Sequence, residues 1–327
     1  MRKPNKAFAA VLLTATLWQF PLAHAAQPDP LPAHVVQQQV GGYKVRVGDV
    51  PVTALSDGTI PIDVHALLKG AKPEDIDRLL MKSFQRNPLE TSINSFLVTL
   101  PGHQVLVDTG AGQLFGPGKG GRLLENLAGQ GLKPEDITDV LLTHAHSDHS
   151  GGLVRDGQRV FPNATVYVGK PDVDFFFDEN NQKRTGYEQK YFDIARLTLQ
   201  PYLDAGKLRT FSQSEEVLPG ITATLHPGHT PGSAFYKLTS AGESLTFVGD
   251  LIHVAAVQFP MPGVTITFDQ SQAKAAAVRK AQFAAFAKQR ALIAAPHLPY
   301  PGMGHLRSNA RGGYDWVPIT YIDRQEP

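Results

Sequence analysis

Three histidines and one aspartate fall within six positions of this chain, in Thr143-His144-Ala145-His146-Ser147-Asp148-His149-Ser150-Gly151-Gly152. The run follows an apolar stretch, Asp139 to Leu142, that reads as a buried strand, and it closes on a glycine pair. At a strand end the side chains at i and i+2 share one side, so His144 and His146 face together. The turn beyond lets Asp148 and His149 face a second point nearby, and two adjacent metal sites follow. Only 12 histidines occur in the whole chain, so a polar loop with chance histidines does not account for the spacing. There is no cysteine. That excludes disulfide scaffolds, thiolate zinc sites, iron–sulfur clusters and cysteine nucleophiles, because each needs the sulfur. Any metal must sit on histidine and carboxylate.

The remaining pattern describes the scaffold that carries this loop. Tyr43 to Leu55 alternates apolar and polar residues around a turn at Gly48-Asp49, and Asn94 to Leu100 and Gln104 to Val107 form a hairpin through Pro101-Gly102. Arg122 to Gly131 reads as a helix, and Lys133 to Asp136 starts a short one. Ala164 to Val168, Ile221 to Leu225, Ala234 to Leu238 and Leu245 to Val248 repeat the strand theme. Ser271 to Ala291 is the longest helix, with an apolar stripe through Ala276, Phe283, Phe286 and Ala287. Its basic residues Lys274, Arg279, Lys280, Lys288 and Arg290 read as the solvated face. The fold class is α/β, layered sheets with outer helices, in a single domain over residues 41–327. The stretch 169–207 mixes charged and aromatic residues without a clear period and reads as an insertion. With 31 basic against 30 acidic residues, nothing concentrates positive charge as nucleic-acid binding requires. A small-molecule substrate is the expectation.

Arg2, Lys3 and Lys6, an apolar stretch over residues 7–19 and Ala23-His24-Ala25 make up a secretory signal peptide over residues 1–25. The apolar stretch is interrupted by Thr14, Thr16 and Gln19 and broken by Pro21, short of the roughly 20 apolar residues a membrane span needs. Cleavage after Ala25 removes three basic residues and no acidic one, leaving 28 against 30. A proline-rich arm over residues 26–40 precedes the domain. The expected compartment is periplasmic or extracellular, with no stable membrane span after cleavage.

The histidine run resembles that of the metallo-β-lactamase-fold hydrolase superfamily, and the later motifs of that family follow in order. His226-Pro227-Gly228-His229 looks like its second histidine loop, Phe247-Val248-Gly249-Asp250 like its bridging aspartate, and Ala294-Ala295-Pro296-His297 like its last histidine. The resemblance implies the αββα sandwich of two mixed sheets. It also implies His144, His146 and His229 on one metal, Asp148, His149 and His297 on the other, and Asp250 shared. His305 competes with His297, which follows an apolar strand directly. His226 is expected at the surface or behind a ligand. Leu106-Val107-Asp108-Thr109-Gly110 matches the family's first motif, where the aspartate supports a ligand. Asp57 and Asp108 are the candidates to hold the outer nitrogens of the histidines, or are ordinary turn residues. Nitrogen and carboxylate donors suit two divalent ions, with Zn2+ expected and Mn, Fe or Co left open.

Further stretches are similar to the methyl parathion hydrolase-like and lactonase group. They include Leu55-Ser56-Asp57-Gly58, Leu114-Phe115-Gly116-Pro117, Gly249-Asp250-Leu251-Ile252, Ala255-Ala256-Val257-Gln258-Phe259 and Pro296-His297-Leu298-Pro299-Tyr300-Pro301-Gly302. This resemblance implies an apolar mouth of Phe115, Phe176 and Phe192, each of which core packing would explain equally well. It places His253, Ile266 and Phe268 on the pocket wall. Two ions about 3.5–4 Å apart would hold a bridging water and lower its pKa toward about 7, giving a hydroxide nucleophile, with Asp250 and Asp148 as the catalytic carboxylates. Bulky Ile266 and Phe268 narrow the slot, which favours a lactone or aryl ester, with organophosphate hydrolysis as a side activity. The alternative is a phosphotriesterase of methyl parathion hydrolase type, and the further alternative a thioesterase of glyoxalase II type, whose basic C-terminal region is not found here. A β-lactamase is disfavoured, because familiar subclasses place a cysteine at the position of Asp250. Relatives in this group imply a homodimer. The Gly116–Gly121 stretch lacks the G-K-[ST] ending of a phosphate loop and reads as a flexible loop near the site.

Overall fold

The strand Leu89–Leu100 shows how the sequence pattern becomes layers. Phe96 and Val98 turn one way and Leu97 the other, as a period of two requires, and the two faces are buried in different clusters. The same division holds in His103–Val107, where Val105 and Val107 join the inner cluster and Leu106 the outer one. The expected hairpin joins these strands, with Leu100 paired to His103 and Gly102 at φ +79°. A sheet that is apolar on both faces must be covered on both.

The computed structural model describes residues 42–322. Two seven-stranded mixed sheets stack on each other. In the first, Gly42–Val47, Val50–Ile62, Leu89–Leu100 and His103–Val107 are successive antiparallel neighbours. Asp139–Leu141, Thr165–Gly169 and Leu208–Phe211 then continue it in parallel. The second sheet orders Glu215–Leu218, Ile221–Leu225, Ala234–Ser240, Glu243–Phe247, Leu292–Ala294, Met303–Ser308 and Tyr314–Pro318. Only its pair Glu243–Phe247 with Leu292–Ala294 is parallel. Between the sheets lie Val52, Phe96, Val98 and Val107 from one and Tyr236, Leu238 and Phe247 from the other.

Helices close the outer faces. Leu123–Gly129, Lys170–Phe177 and Gln189–Asp204 cover the first sheet through Leu127, Phe176, Phe192 and Leu199. Gln272–Gln289 covers the second through Phe283 and Phe286, which pack on Phe235 and Ile293. This is the αββα sandwich expected from the motifs. The signal peptide expected over 1–25 and the arm expected over 26–40 lie outside the described residues.

Three expectations change. The stretch 169–207 is not irregular: it forms Lys170–Phe177, Glu179–Thr185 and Gln189–Asp204, and it supplies a helical layer. Its period was hidden because two of these helices are short and the third carries Pro201. In the long helix the buried stripe runs through Ala275, Arg279, Phe283 and Phe286, one position away from Ala276 at its start. Arg279 is therefore not on the solvated face but is 1% exposed in the core. A further apolar cluster, unread in the sequence, joins Val64, Ile76 and Leu80 to Val254, Val257 and Ile266.

Candidate metal centre

The donor side chains come from segments that follow strand ends. Asp139–Leu141 leads to His144, Ile221–Leu225 to His229, Glu243–Phe247 to Asp250 and Leu292–Ala294 to His297. In the first of these, Ala145 turns into the apolar core while its neighbours His144 and His146 face the other way, as the strand period demands. His146 caps the helical turn Ser147–Ser150, which brings Asp148 and His149 round to the same place. The glycine pair is a packing requirement. A Cβ on Gly151 would sit 2.3 Å from the Ala111 carbonyl oxygen, and one on Gly152 would sit 2.0 Å from that of Thr109.

Four donors converge in a first set. His144 Nε2, His146 Nδ1 and His229 Nε2 are 3.0 to 3.2 Å apart, and Asp250 Oδ2 lies 3.1 Å from His229 Nε2 and 3.5 Å from His144 Nε2. Each of these rings has an acceptor on its outer nitrogen. His144 Nδ1 lies 3.1 Å from Thr143 Oγ1, His146 Nε2 lies 2.8 Å from the Tyr187 hydroxyl, and His229 Nδ1 lies 2.8 Å from Asp269 Oδ1. With the ring protons engaged outward, three lone pairs point at one another. That arrangement is repulsive on its own and is satisfied by a cation at its centre.

A second set adjoins it. His149 Nε2 lies 3.1 Å from Asp250 Oδ1 and 3.8 Å from Asp148 Oδ1, and His297 Nε2 lies 3.1 Å from Asp250 Oδ1 and 3.4 Å from Asp148 Oδ2. The outer nitrogens are again held, His149 Nδ1 donating to Asp108 Oδ2 at 2.9 Å and His297 Nδ1 to the Ser92 carbonyl at 2.9 Å. His149 Nε2 and Asp250 Oδ1 are buried without a hydrogen-bond partner. Orphaned polar atoms of this kind call for a missing ligand, and nitrogen with carboxylate oxygen is a donor set for a divalent metal. Asp250 faces both sets with its two oxygens. Asp148 is the one open donor, with a side chain 19% exposed against 6% or less for the other six.

The electrostatics agree. Burial and the neighbouring imidazoles hold His144 and His146 well below the ordinary histidine range. Burial also opposes charge on His149, His229 and His297, but Asp250 with Asp108, Asp269 or Asp148 outweighs it; His149 is raised well above the usual value, His229 to about 9, and His297 is also raised. Burial penalises the Asp250 carboxylate too, yet the surrounding histidines, His149 first, keep it well below the carboxylate range. Cations held by these donors would take over the balancing of Asp250 from the imidazoles.

All seven residues expected as ligands meet here, and His305 does not. Its Nδ1 lies 3.1 Å from the Arg290 and Ala291 carbonyls instead. His226 stacks on Phe235 at 3.9 Å, outside the donor sets. Asp108 supports His149 as expected and also accepts from the Thr143 amide and hydroxyl, at a backbone φ of +57°. Asp57 is a correction. Its carboxylate accepts from the amides of Ala111, Gly121 and Leu123 and pins the glycine-rich loop, touching no histidine. His253 stands beside the cluster, its Nε2 2.9 Å from Asp250 Oδ2 and its ring stacked on His297 at 5.1 Å.

The pocket residues divide. Phe176 lies 6.2 Å from His146 and Phe268 lies 6.1 Å from His253, so both border the cluster. Phe192 is a core residue packed on Phe175 and Phe176, and Ile266 is buried among Val254, Val257 and Leu68. Both back the walls because their faces of the helix and the strand turn inward. Phe115 is half-buried on the loop pinned by Asp57, with no ring contact to a site histidine among the described residues. Sequence reading missed Tyr187, whose hydroxyl also donates to the Phe268 carbonyl at 2.8 Å, and Tyr191, stacked on Tyr187 at 4.6 Å and 5.0 Å from His146. It also missed Asp172, buried at the start of the helical layer. That carboxylate accepts from the amides of Ala145 and Gly232 and from the Thr230 hydroxyl, so one side chain ties the two histidine loops together.

Comparison with known proteins places this geometry in context. The sequence profile described as the metallo-beta-lactamase superfamily matches residues 89–285. The crystal structure of the hydrolase AbOPH, described as a member of the beta lactamase superfamily, superposes with a TM-score of 0.83 at 36% identity, over 88% of this chain and all of that one. AidC, a dizinc quorum-quenching lactonase in complex with the product N-hexanoyl-L-homoserine, superposes with a TM-score of 0.79 at 29% identity, over 86% of this chain and 99% of that one. Among curated proteins, the N-acyl homoserine lactonase AttM of Rhizobium radiobacter is 24% identical over 201 residues, 56% of this chain and 69% of that protein. The mouse metallo-beta-lactamase domain-containing protein 1 is 50% identical over 64 residues, a match that spans 20% of this chain and 21% of the relative's length.

Proposed function

The chain belongs to the metallo-beta-lactamase superfamily, and from that premise we propose that it is a metal-dependent hydrolase of lactones or aryl esters working with two divalent ions, zinc first among them. The observation that carries the reading is the pair of converging donor sets sharing Asp250, in a chain that aligns over 86% of its length with a dizinc lactonase. His144, His146 and His229 with Asp250 Oδ2 would hold one ion, and Asp148, His149 and His297 with Asp250 Oδ1 the other. Bound there, a pair of ions supplies Lewis acidity toward a carbonyl oxygen and an activated water.

The residues do the rest. Thr143, Tyr187, Asp269, Asp108 and the Ser92 carbonyl fix each histidine's tautomer, so that the lone pair faces inward. Burial and its neighbours keep His253 below the ordinary histidine range and therefore neutral, and its Nε2 proton is given to Asp250 Oδ2. In that role it steadies the shared carboxylate, and the substrate meets its ring edge. The substrate would enter over Asp148, the most exposed donor, beside the rings of Tyr187, Tyr191 and Phe268. A flat ester fits an opening walled by rings more readily than a tetrahedral phosphotriester, which keeps organophosphate hydrolysis as a side activity.

The test is a parallel set of kcat/KM values on the zinc-loaded protein for an aromatic lactone, a long-chain acyl homoserine lactone, an aryl ester and methyl parathion. A lactone or aryl ester far ahead is expected; methyl parathion ahead would replace this reading with the phosphotriesterase one. We also propose that residues 1–25 direct export, supported by their basic, apolar and Ala23-His24-Ala25 pattern. Cell fractionation with N-terminal sequencing checks it, and a protein found in the cytoplasm with Met1 intact would contradict it.

A further inference from the structure

Arg279 is among the largest fully buried side chains, on a helix that otherwise packs through alanine and phenylalanine. Burying a guanidinium is costly, and an apolar side chain of similar volume would hold helix to sheet at least as well. Its contacts explain the charge. Nε donates to the Leu251 carbonyl at 2.7 Å, Nη1 donates to the Val264 carbonyl at 2.7 Å, and Nη2 lies 3.7 Å from Asp269 Oδ2. Leu251 is the residue after Asp250. Asp269 is the carboxylate that holds His229 Nδ1 through its other oxygen at 2.8 Å. A small cavity behind the cluster is lined by His144, His229, Asp250, Leu251 and Arg279, so the guanidinium borders the back of the first donor set.

We infer that Arg279 is a positioning residue for the metal centre: one guanidinium fixes the backbone that presents Asp250 and the carboxylate that orients His229. The two donors come from loops at the ends of the paired strands Ala234–Ser240 and Glu243–Phe247. Arg279 ties both to the long helix. The planar fork matters, because three acceptors in different directions cannot be met by the single ammonium of a lysine with the same geometry. An anionic Asp269 makes the inner nitrogen of His229 a stronger donor, as a carboxylate partner does for a ligating histidine. The effect falls mainly on the first set, where Arg279 reaches both Asp250 and His229, whereas the second set shares only Asp250. Asp148, His149 and His297 have no hydrogen bond to Arg279 and lean on Asp108 and Ser92.

The inference rests on the two-ion reading above and not on the substrate. Its test is metal binding by the full chain carrying Arg279→Met, Arg279→Lys or Asp269→Asn, read by zinc competition with a chromophoric chelator and by the visible spectrum of the cobalt form, with circular dichroism to monitor the fold. In Arg279→Met and Asp269→Asn the affinity for one ion should fall by about 10- to 100-fold, with the cobalt bands of that ion shifted and the second ion, which shares only Asp250, weakened less. The double variant should lose less than the product of the two, since both act on His229. Arg279→Lys should recover only part of the loss. A folded Arg279→Met binding both ions as the parent does, or losing both equally, would overturn the inference. If the methionine variant does not fold, a folded Arg279→Lys with two parental affinities would overturn it instead, and selective loss of one ion would support it. A parent that binds two ions but opens no lactone would sink only the substrate reading.

Discussion

The two donor sets share Asp250 and differ in almost everything else. The first is sealed, with its histidines backed by the side chains of Thr143, Tyr187 and Asp269 and its loops fastened by Asp172 and Arg279. The second opens to solvent at Asp148 and leans on one carboxylate, Asp108, and one backbone carbonyl, that of Ser92. Pre-organisation of this kind strengthens binding by removing the cost of assembling the donors. The difference predicts a division of labour: an ion at the sealed set should be held more tightly, and one at the open set should exchange more readily.

The variant that should erase the contrast is Asp250→Asn. An amide places a donor where one ion needs an oxygen, and both sets should empty together, with hydrolysis falling to background; metal analysis after gel filtration checks it. Asp108→Asn should sharpen the contrast. The His149 proton loses its anionic acceptor, so affinity at the open set should fall by about 10- to 100-fold, while the sealed set, which Asp108 reaches only through Thr143, loses much less, as a chelator titration would show.

Stability should follow the sealed side. Asp172→Ala leaves the Ala145 and Gly232 amides and the Thr230 hydroxyl without their acceptor. At about 1–3 kcal/mol for each buried donor left unmet, partly relieved by relaxation, a loss of about 3 kcal/mol in denaturant unfolding is expected. Tyr187→Phe removes the acceptor of the His146 ring proton and the donor to the Phe268 carbonyl and should cost about 1–2 kcal/mol, with both ions retained.

Acidity gives a further handle. Asp250 and Asp269, outweighing burial, push His229 up to about 9 from its ordinary 6.5 when no metal is bound. A raised histidine pKa stabilises fully below the unfolded value and ceases to do so as pH rises through the folded one. The metal-free Tm should therefore decline between about pH 6.5 and about 9 from this group. The zinc-loaded protein, in which the proton has been displaced, should lack that decline, and differential scanning across this range checks it.

Much of the open set was legible in the sequence, because Asp148 and His149 lie in the same short run as His144 and His146 and strand geometry dictates where that run points. The distal donors His229, Asp250 and His297 were legible only through family motifs at the ends of strands. The supports were not. Asp269 and Tyr187 act across 40 and 41 residues of sequence from the histidines they hold, and no local period marks them. Arg279 was misread because a basic residue in a basic helix looks solvated until its three acceptors are seen. Asp57 was misread in the opposite sense, since a carboxylate near a motif can serve three backbone amides as well as a histidine. The layered fold itself was clear from the alternation in Leu89–Leu100 and His103–Val107, whereas the helical layer over 170–204 was hidden by its short helices.

The most direct measurement is zinc stoichiometry of the full chain with the release of each ion followed under a chelator in excess. Two ions per chain are predicted, leaving in two phases, the slower one preserved in Asp108→Asn and lost in Asp250→Asn. One ion per chain at saturation, or two that leave in a single phase untouched by Asp108→Asn, would contradict the account.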